Sequence, residues 1–248
     1  MALHPLGQIF NEQSERFRKA PTYRQNAYRA IKEAILDGAL GTNQPLVEEQ
    51  IAASLHISRT PVREALAILQ HERYIGPSRG RGLYVRALTH AEFMEMFVAN
   101  EVIEPYLARR AALRATDEQR SAIQAAIEAG RAAAEAGDMA GFLRASRDFH
   151  RRMGQAADNL TLTEFVVGNE ERTDMYLLNT GKMLDSEKMM ASLREHEAIY
   201  EALVQGDPEA AERRVIYHAQ SLRERFAELF NGPEEALSTS HHAPNPSP

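Results

Sequence analysis

From residue 89 to about residue 230 the sequence contains no convincing strand-like alternation and is cut into helical lengths by a series of start and stop residues. Starts can be placed at Thr89, Thr116, Asp138, near Thr161, near Asp185 and at Asp207, with Pro208 as the first helical residue of the last. A side-chain oxygen at such a position accepts from an unpaired N–H of the first turn, and proline lacks the N–H that would go unpaired there. Gly137, Asp158-Asn159, Gly181 and Gly206 mark the ends, because glycine and asparagine tolerate the left-handed conformation that closes a helix. About six helices of roughly 15–25 residues, joined by short turns, bury their apolar stripes only against one another. The stretch predicts an all-α bundle.

Ahead of it the pattern is mixed. Ala27, Ile31, Ala34 and Ile35 recur at helical spacing until Gly38, and Asn43-Gln-Pro signals a turn. A short helix is predicted from Val47 to Leu55, with Glu48 and Glu49 favourably placed in its first turn. Ser58 then looks like an N-cap, Pro61 is tolerated in the first turn, and Val62, Leu66 and Leu69 form an apolar stripe. After Arg73 the period shifts towards two. Tyr74-Ile75 and Leu83-Tyr84-Val85 flank Gly76-Pro77-Ser78-Arg79-Gly80-Arg81-Gly82, which reads as a hairpin. Three helices and a hairpin in about 65 residues make a winged helix-turn-helix. The expected fold class is therefore mainly α: a flexible arm over residues 1–20, a winged helix-turn-helix over 21–87, an all-helical domain over 88–231, and a disordered Pro/Ser/His-rich tail over 232–248.

Charge separates the two halves. Residues 16–86 hold 12 Lys/Arg against 6 Asp/Glu, leaving 17 basic and 29 acidic groups elsewhere. Charges beyond about 10 Å are screened at 0.1 M salt, so a polyanion feels the basic third rather than the net charge of −6. With 248 residues and 44% apolar content the chain has ample core material. The absence of cysteine excludes disulfides, thiolate metal sites and a cysteine nucleophile. No apolar run reaches the length of about 18 residues that a spanning helix needs, and the first residues lack the apolar core of a secretory signal. The expectation is a soluble, cytoplasmic protein without a membrane partner.

Arg59 and Arg63 stand four residues apart and share one face of the third helix, while Val62, Leu66 and Leu69 anchor the other. A helix so presented fits the major groove of double-stranded DNA, where arginine can pair with guanine O6 and N7. Ser58 and Thr60 lie at its N-terminus, where hydroxyls and free N–H groups suit a phosphate. At the hairpin tip Gly80 and Gly82 remove bulk and Arg79 and Arg81 supply charge, as entry into a minor groove requires. Each feature alone is commonplace. Their order along the chain points to DNA.

Three histidines stand out in the bundle. His150 shares a face with Phe142, Ser146 and Met153; His196 sits in the series Met189, Leu193, Tyr200, Leu203; His218 sits in Ala211, Val215, Leu222, Phe226. A lone histidine on an apolar face is ordinarily a hydrogen-bonded core residue. Three inward ones, on three helices of one bundle, point to a shared site. Neutral imidazoles with an open position suit a divalent metal such as zinc or nickel; the alternatives are a metal-free pocket that binds an organic ligand directly and, remotely, a metal-dependent hydrolase. No paired carboxylate at useful spacing accompanies the histidines, and Asp148 faces the wrong way to join them. His241-His242 belongs to the tail.

The run SRTPVREAL at residues 58–66, preceded by Ile51-Ala-Ala-Ser-Leu-His-Ile and followed 14 residues beyond Leu66 by Gly-Arg-Gly, resembles the GntR family of bacterial transcription regulators. Ile103-Glu104-Pro, Ala111-Ala112, Phe149-His150 and Asp158-Asn159 are similar to its FadR-type subfamily with the helical FCD effector domain. The resemblance covers residues 22–230 and implies a ligand-responsive homodimer, a repressor by default, on a palindromic operator. It implies that Arg59, Arg63 and the wing contact the operator, and that His150, His196 and His218 match metal ligands. Two positions depart from the family pattern. Ser146 stands where metal-binding members carry an aspartate, and Asn100 where many carry an effector-binding arginine; both are expected to face the effector, a small metabolite such as an organic acid.

Overall fold

The computed structural model describes residues 22–42, 44–77, 82–181 and 184–230, so the expectations for residues 1–20 and 232–248 lie outside the described residues. Helices α1 (Tyr23–Leu36), α2 (Glu48–Leu55) and α3 (Arg59–His71) precede a hairpin of β1 (Ile75–Pro77) and β2 (Leu83–Val85). Thr22 caps α1 by accepting from the Gln25 amide. Ala27, Ile31, Ala34 and Ile35 of α1 are buried with Val62, Leu66 and Leu69 of α3. The tight turn between α2 and α3 places His56 at φ 55°, an αL conformation that closes α2. Ser58 occupies the N-cap position of α3 but makes no capping hydrogen bond, so its hydroxyl is not committed to the helix. The strands pair antiparallel, Ile75 with Val85 and Pro77 with Leu83. The Leu46 amide donates to the Leu83 carbonyl at 2.8 Å, tying the wing to the loop before α2.

Six helices follow: α4 (His90–Arg114), α5 (Asp117–Glu135), α6 (Met139–Ala156), α7 (Leu160–Thr180), α8 (Ser186–Gln205) and α9 (Pro208–Phe230). Thr89 with Glu92 and Thr116 with Gln119 form reciprocal capping boxes on α4 and α5. Asp138 and Asp185 cap α6 and α8, as read from the sequence. Helix α7 begins at Leu160, near the expected Thr161, with Asn159 as its N-cap accepting from the Leu162 amide. Gly181 and Gly206 close α7 and α8 at φ 65° and 66°. No described helix is long and apolar enough to cross a membrane.

The bundle core is continuous with that of the amino-terminal unit. Phe93, Phe97, Tyr176 and Phe226 interlock at ring separations of 4.6–5.4 Å, tying α4, α7 and α9 together. Polar contacts join bundle and unit as well. Lys32 of α1 lies 2.9 Å from Glu171 of α7, which also accepts from the Tyr74 hydroxyl, and Arg144 of α6 donates to Asp37 at 2.7 Å.

Candidate functional site

Helices α4, α6, α7, α8 and α9 enclose a cavity lined by Asn100, Glu104, Ser146, Arg147, His150, Glu170, Asp174, Lys188, His218 and Arg225, with Phe97, Phe142, Leu143, Leu177, Leu222 and Phe226 as apolar wall. His150 comes from α6, His196 from α8 and His218 from α9, and all three are buried. Each offers a ring nitrogen within 4.8 Å of the other two. The closest approach is between His196 Nε2 and His218 Nε2, 3.2 Å apart. Phe149 stacks on His196 at 4.2 Å and fixes its plane.

Carboxylates stand behind two of these rings. His218 Nδ1 lies 2.7 Å from Glu195 Oε2, and Glu195 also accepts two hydrogen bonds of 2.7 Å from Arg225. With Nδ1–H donating to Glu195, the bare Nε2 of His218 faces the cluster, the tautomer a metal ligand requires. His150 Nδ1 stands 2.9 Å from Glu104 Oε2 at ion-pair distance, off the line of a hydrogen bond. On its other side, His150 Nε2 lies 3.5 Å from Glu170 Oε1.

The electrostatics follow from this layout. Burial opposes charge on His150, but Glu104 and Glu170 outweigh it and hold the imidazole up at about 9. Burial drives His196 well below the ordinary histidine value, assisted by His218 and His150. His218 is lowered too, burial prevailing over Glu195. Burial raises Glu170 to about 8 against the pull of His150, and Asp174 to about 7 against its partner Arg147. Burial would raise Glu195 as well, but Arg225 and His218 hold it down at about 2.

The residues present fit a divalent cation. Two imidazoles kept mostly neutral meet a third, and two buried polar atoms nearby lack aligned hydrogen-bond partners: His150 Nδ1 and Glu170 Oε2. Of the effector positions, Ser146 lines the cavity one turn before His150, and Asn100 lines it while accepting from Asn169 Nδ2 at 3.0 Å. Asp148 points elsewhere and pairs with Arg151 and Arg152. Sequence reasoning did not assign Glu104, Glu170, Glu195, Arg147, Asp174 or Arg225 to the site. The only signal for Glu195 was its place beside His196; the sequence carried none for Asp174.

The second candidate surface is α3. Arg59 and Arg63 are exposed on one face, as their spacing predicts, and both reach Glu48 of α2. Arg63 donates to it through Nε and Nη2 at 2.9–3.2 Å. Ser58 and Thr60 are exposed at the helix start. Gly82 adopts φ 140°, with the Tyr84 ring 3.6 Å from where a Cβ would stand, so a side chain there would be strained. Arg79, Gly80 and Arg81 lie outside the described residues.

Comparison with known proteins places both regions. Residues 23–85 match the model of the bacterial regulatory proteins of the gntR family, and residues 95–221 match the FCD domain. The chain is 30% identical over 208 residues to a probable D-xylose utilization operon transcriptional repressor of Paenarthrobacter nicotinovorans, covering 83% of this chain and 89% of that protein. It is 26% identical over 205 residues to the HTH-type transcriptional repressor RspR of Escherichia coli K12, with the same coverage. In fold it is similar to McbR/YncC of E. coli, at a TM-score of 0.72 and 19% identity, covering 85% of this chain and 98% of that one.

Proposed function

The chain belongs to the GntR family of bacterial transcriptional regulators and carries its FCD effector domain, and from that premise we propose that it is a repressor that binds a palindromic operator as a homodimer and senses a small organic acid beside a histidine-held metal ion. The family is one of regulators rather than enzymes, so the hydrolase alternative is set aside. Two relatives that span most of the chain are called repressors. Exposed Arg59 and Arg63 on α3, with Ser58 and Thr60 at its start, are the groups to read bases and hold phosphate, with the wing residues Arg79, Gly80, Arg81 and Gly82 beside them.

The homodimer draws support from α4. Val98, Val102, Tyr106 and Leu113 are exposed along one side of that helix, and Val102 is 74% exposed. An apolar stripe of this kind in contact with water favours burial against a second copy. A two-fold pair of reading helices would in turn call for a palindromic site.

One observation carries the sensing proposal: three buried imidazoles converge, two of them, His150 and His218, lining the cavity, with Glu195 orienting His218. His150, His196 and His218 would hold zinc or nickel, which supplies a Lewis-acidic centre for an acid's carboxylate. Asn100 and Ser146 would meet the rest of the ligand. Contacts of α7 with Lys32 and Tyr74 give the cavity a direct physical link to the reading unit. A metal-free cavity that binds an organic ligand directly is favoured by one observation, the placement of His150 between Glu104 and Glu170, which balances charge without a cation.

The test joins both halves. Untagged protein incubated with a pool of randomised duplexes should enrich a palindrome, and small organic acids with zinc should release that DNA. Elemental analysis of the same preparation should find about one metal per chain, lost in His150→Ala. If no palindrome is enriched, the DNA-binding assignment fails; release by an acid without bound metal would favour the metal-free cavity.

A further inference from the structure

The cation proposed above rests on three imidazole nitrogens, which bring no negative charge to it, yet it would sit where water is excluded. A doubly charged ion in a buried site needs an anionic partner close by. Six carboxylates approach the histidines or stand beside them in sequence, and five are turned elsewhere, Glu197 to Arg131. Glu195 is held by Arg225 and the far nitrogen of His218. Asp174 is paired with Arg147. Asp148 turns to Arg151 and Arg152. Glu104 faces the other side of His150, its Oε2 2.9 Å from Nδ1.

Glu170 is left. Its Oε1 is 3.5 Å from His150 Nε2, the nitrogen His150 has available once Nδ1 faces Glu104. Its Oε2 is buried and has no hydrogen-bond partner. The ligand atoms of Glu104, His150 and Glu170 fall within 4.8 Å of one another, a cluster that shares His150 with the three-histidine set. A buried acceptor that no protein donor satisfies is costly unless something else binds it. We propose that Glu170 is the anionic ligand of this site, completing a set of three nitrogens and one oxygen with His150, His196 and His218. Such a set suits zinc and similar divalent ions. The inference rests on the metal-binding reading of the cavity and adds to it the residue that offsets the charge.

The experiment uses the full, untagged chain stripped with a chelator, and zinc or cobalt alone as the probe. Competition against a chromophoric chelator gives the affinity, and the visible absorption of the cobalt form reports its ligand set. Even residues that only orient metal ligands cost about 10–100-fold in affinity when changed, so Glu170→Gln should lose at least about tenfold and alter the cobalt spectrum. Glu170→Asp, which keeps the charge, should retain more affinity than Glu170→Gln. Melting of the metal-free variants by circular dichroism shows that both fold. If Glu170→Gln binds zinc as tightly as the parent, with an unchanged cobalt spectrum while His150→Ala loses the metal, Glu170 is not a ligand and the three-histidine reading survives. If the parent chain takes up neither metal, the reading beneath the proposal fails with it.

Discussion

Gly154 sits one turn beyond His150 on α6, against Thr163 of α7. A Cβ at this position would stand 2.4 Å from Thr163 Oγ1, 2.7 Å from its Cγ2 and 3.0 Å from its Cβ. Thr163 has little freedom to yield. It is β-branched and buried, and its hydroxyl donates to the Asn159 carbonyl at 2.7 Å. Gly154→Ala therefore sets two effects against each other. Alanine favours a helix interior over glycine by about 0.8–1 kcal/mol. Overpacking a close contact costs about 1–3 kcal/mol, and a contact this short belongs at the upper end. The net is a loss of about 2 kcal/mol, or roughly 4–8 °C in melting temperature for a chain of this size. Glu170 lies two turns along α7 from Thr163, so the same displacement should widen the gap between Glu170 and His150 and weaken zinc binding. Thr163→Ala removes Oγ1 and Cγ2, so the double variant should regain at least half of the lost stability, a coupling expected of residues in contact. Thermal melts by circular dichroism decide the matter. A single variant as stable as the parent, or a double variant no better than the single, would refute the claim that helix contact at Gly154 sets the spacing of the site.

The remaining predictions concern the reading surface, the cavity and the helix stripe. Arg63→Ala should weaken binding to the selected palindrome by between about 5- and 150-fold while changing binding to random duplex much less, as expected of a base contact; equal losses on both would make Arg63 a backbone contact. Ser146→Asp adds a carboxylate to the cavity one turn from His150 and should raise zinc affinity in chelator competition, whereas unchanged affinity would argue that this face of α6 does not meet the metal. Val102→Glu places a charge in the exposed stripe of α4 and should shift the chain from dimer to monomer in analytical ultracentrifugation. A dimer unaffected by it would move the interface elsewhere.

Much of this architecture could be read from local chemistry. Thr89, Thr116, Asp138 and Asp185 each cap the helix that their position predicts, because capping depends on residues no more than a turn away. The histidines were legible for a related reason: each keeps step with the apolar residues of its own helix, so its inward direction follows from one helix at a time. Their partners were not. Glu195 meets His218 across 23 positions and Glu104 meets His150 across 46, and nothing in either helix alone selects those pairs. Ser58 shows the limit in the other direction, since a residue with the right chemistry at the right position leaves its cap unmade.

Helix α7 explains why the most consequential carboxylate escaped notice. An amphipathic stripe is visible only when one face is apolar and the other wet. Here Thr163, Asn169, Glu171, Thr173 and Asp174 are all buried, so polar residues occupy inward positions and no stripe forms. The reason is that α7 is covered on more than one side. Successive residues on a helix point about 100° apart, which lets Glu170 and Asp174 face the cavity while Glu171 turns to Lys32 and Tyr74 of the amino-terminal unit. A helix that contributes charge to the cavity and to the reading unit from adjacent positions cannot carry a clean periodic signal. The irregularity of its sequence and its place between the two functional surfaces have the same physical origin.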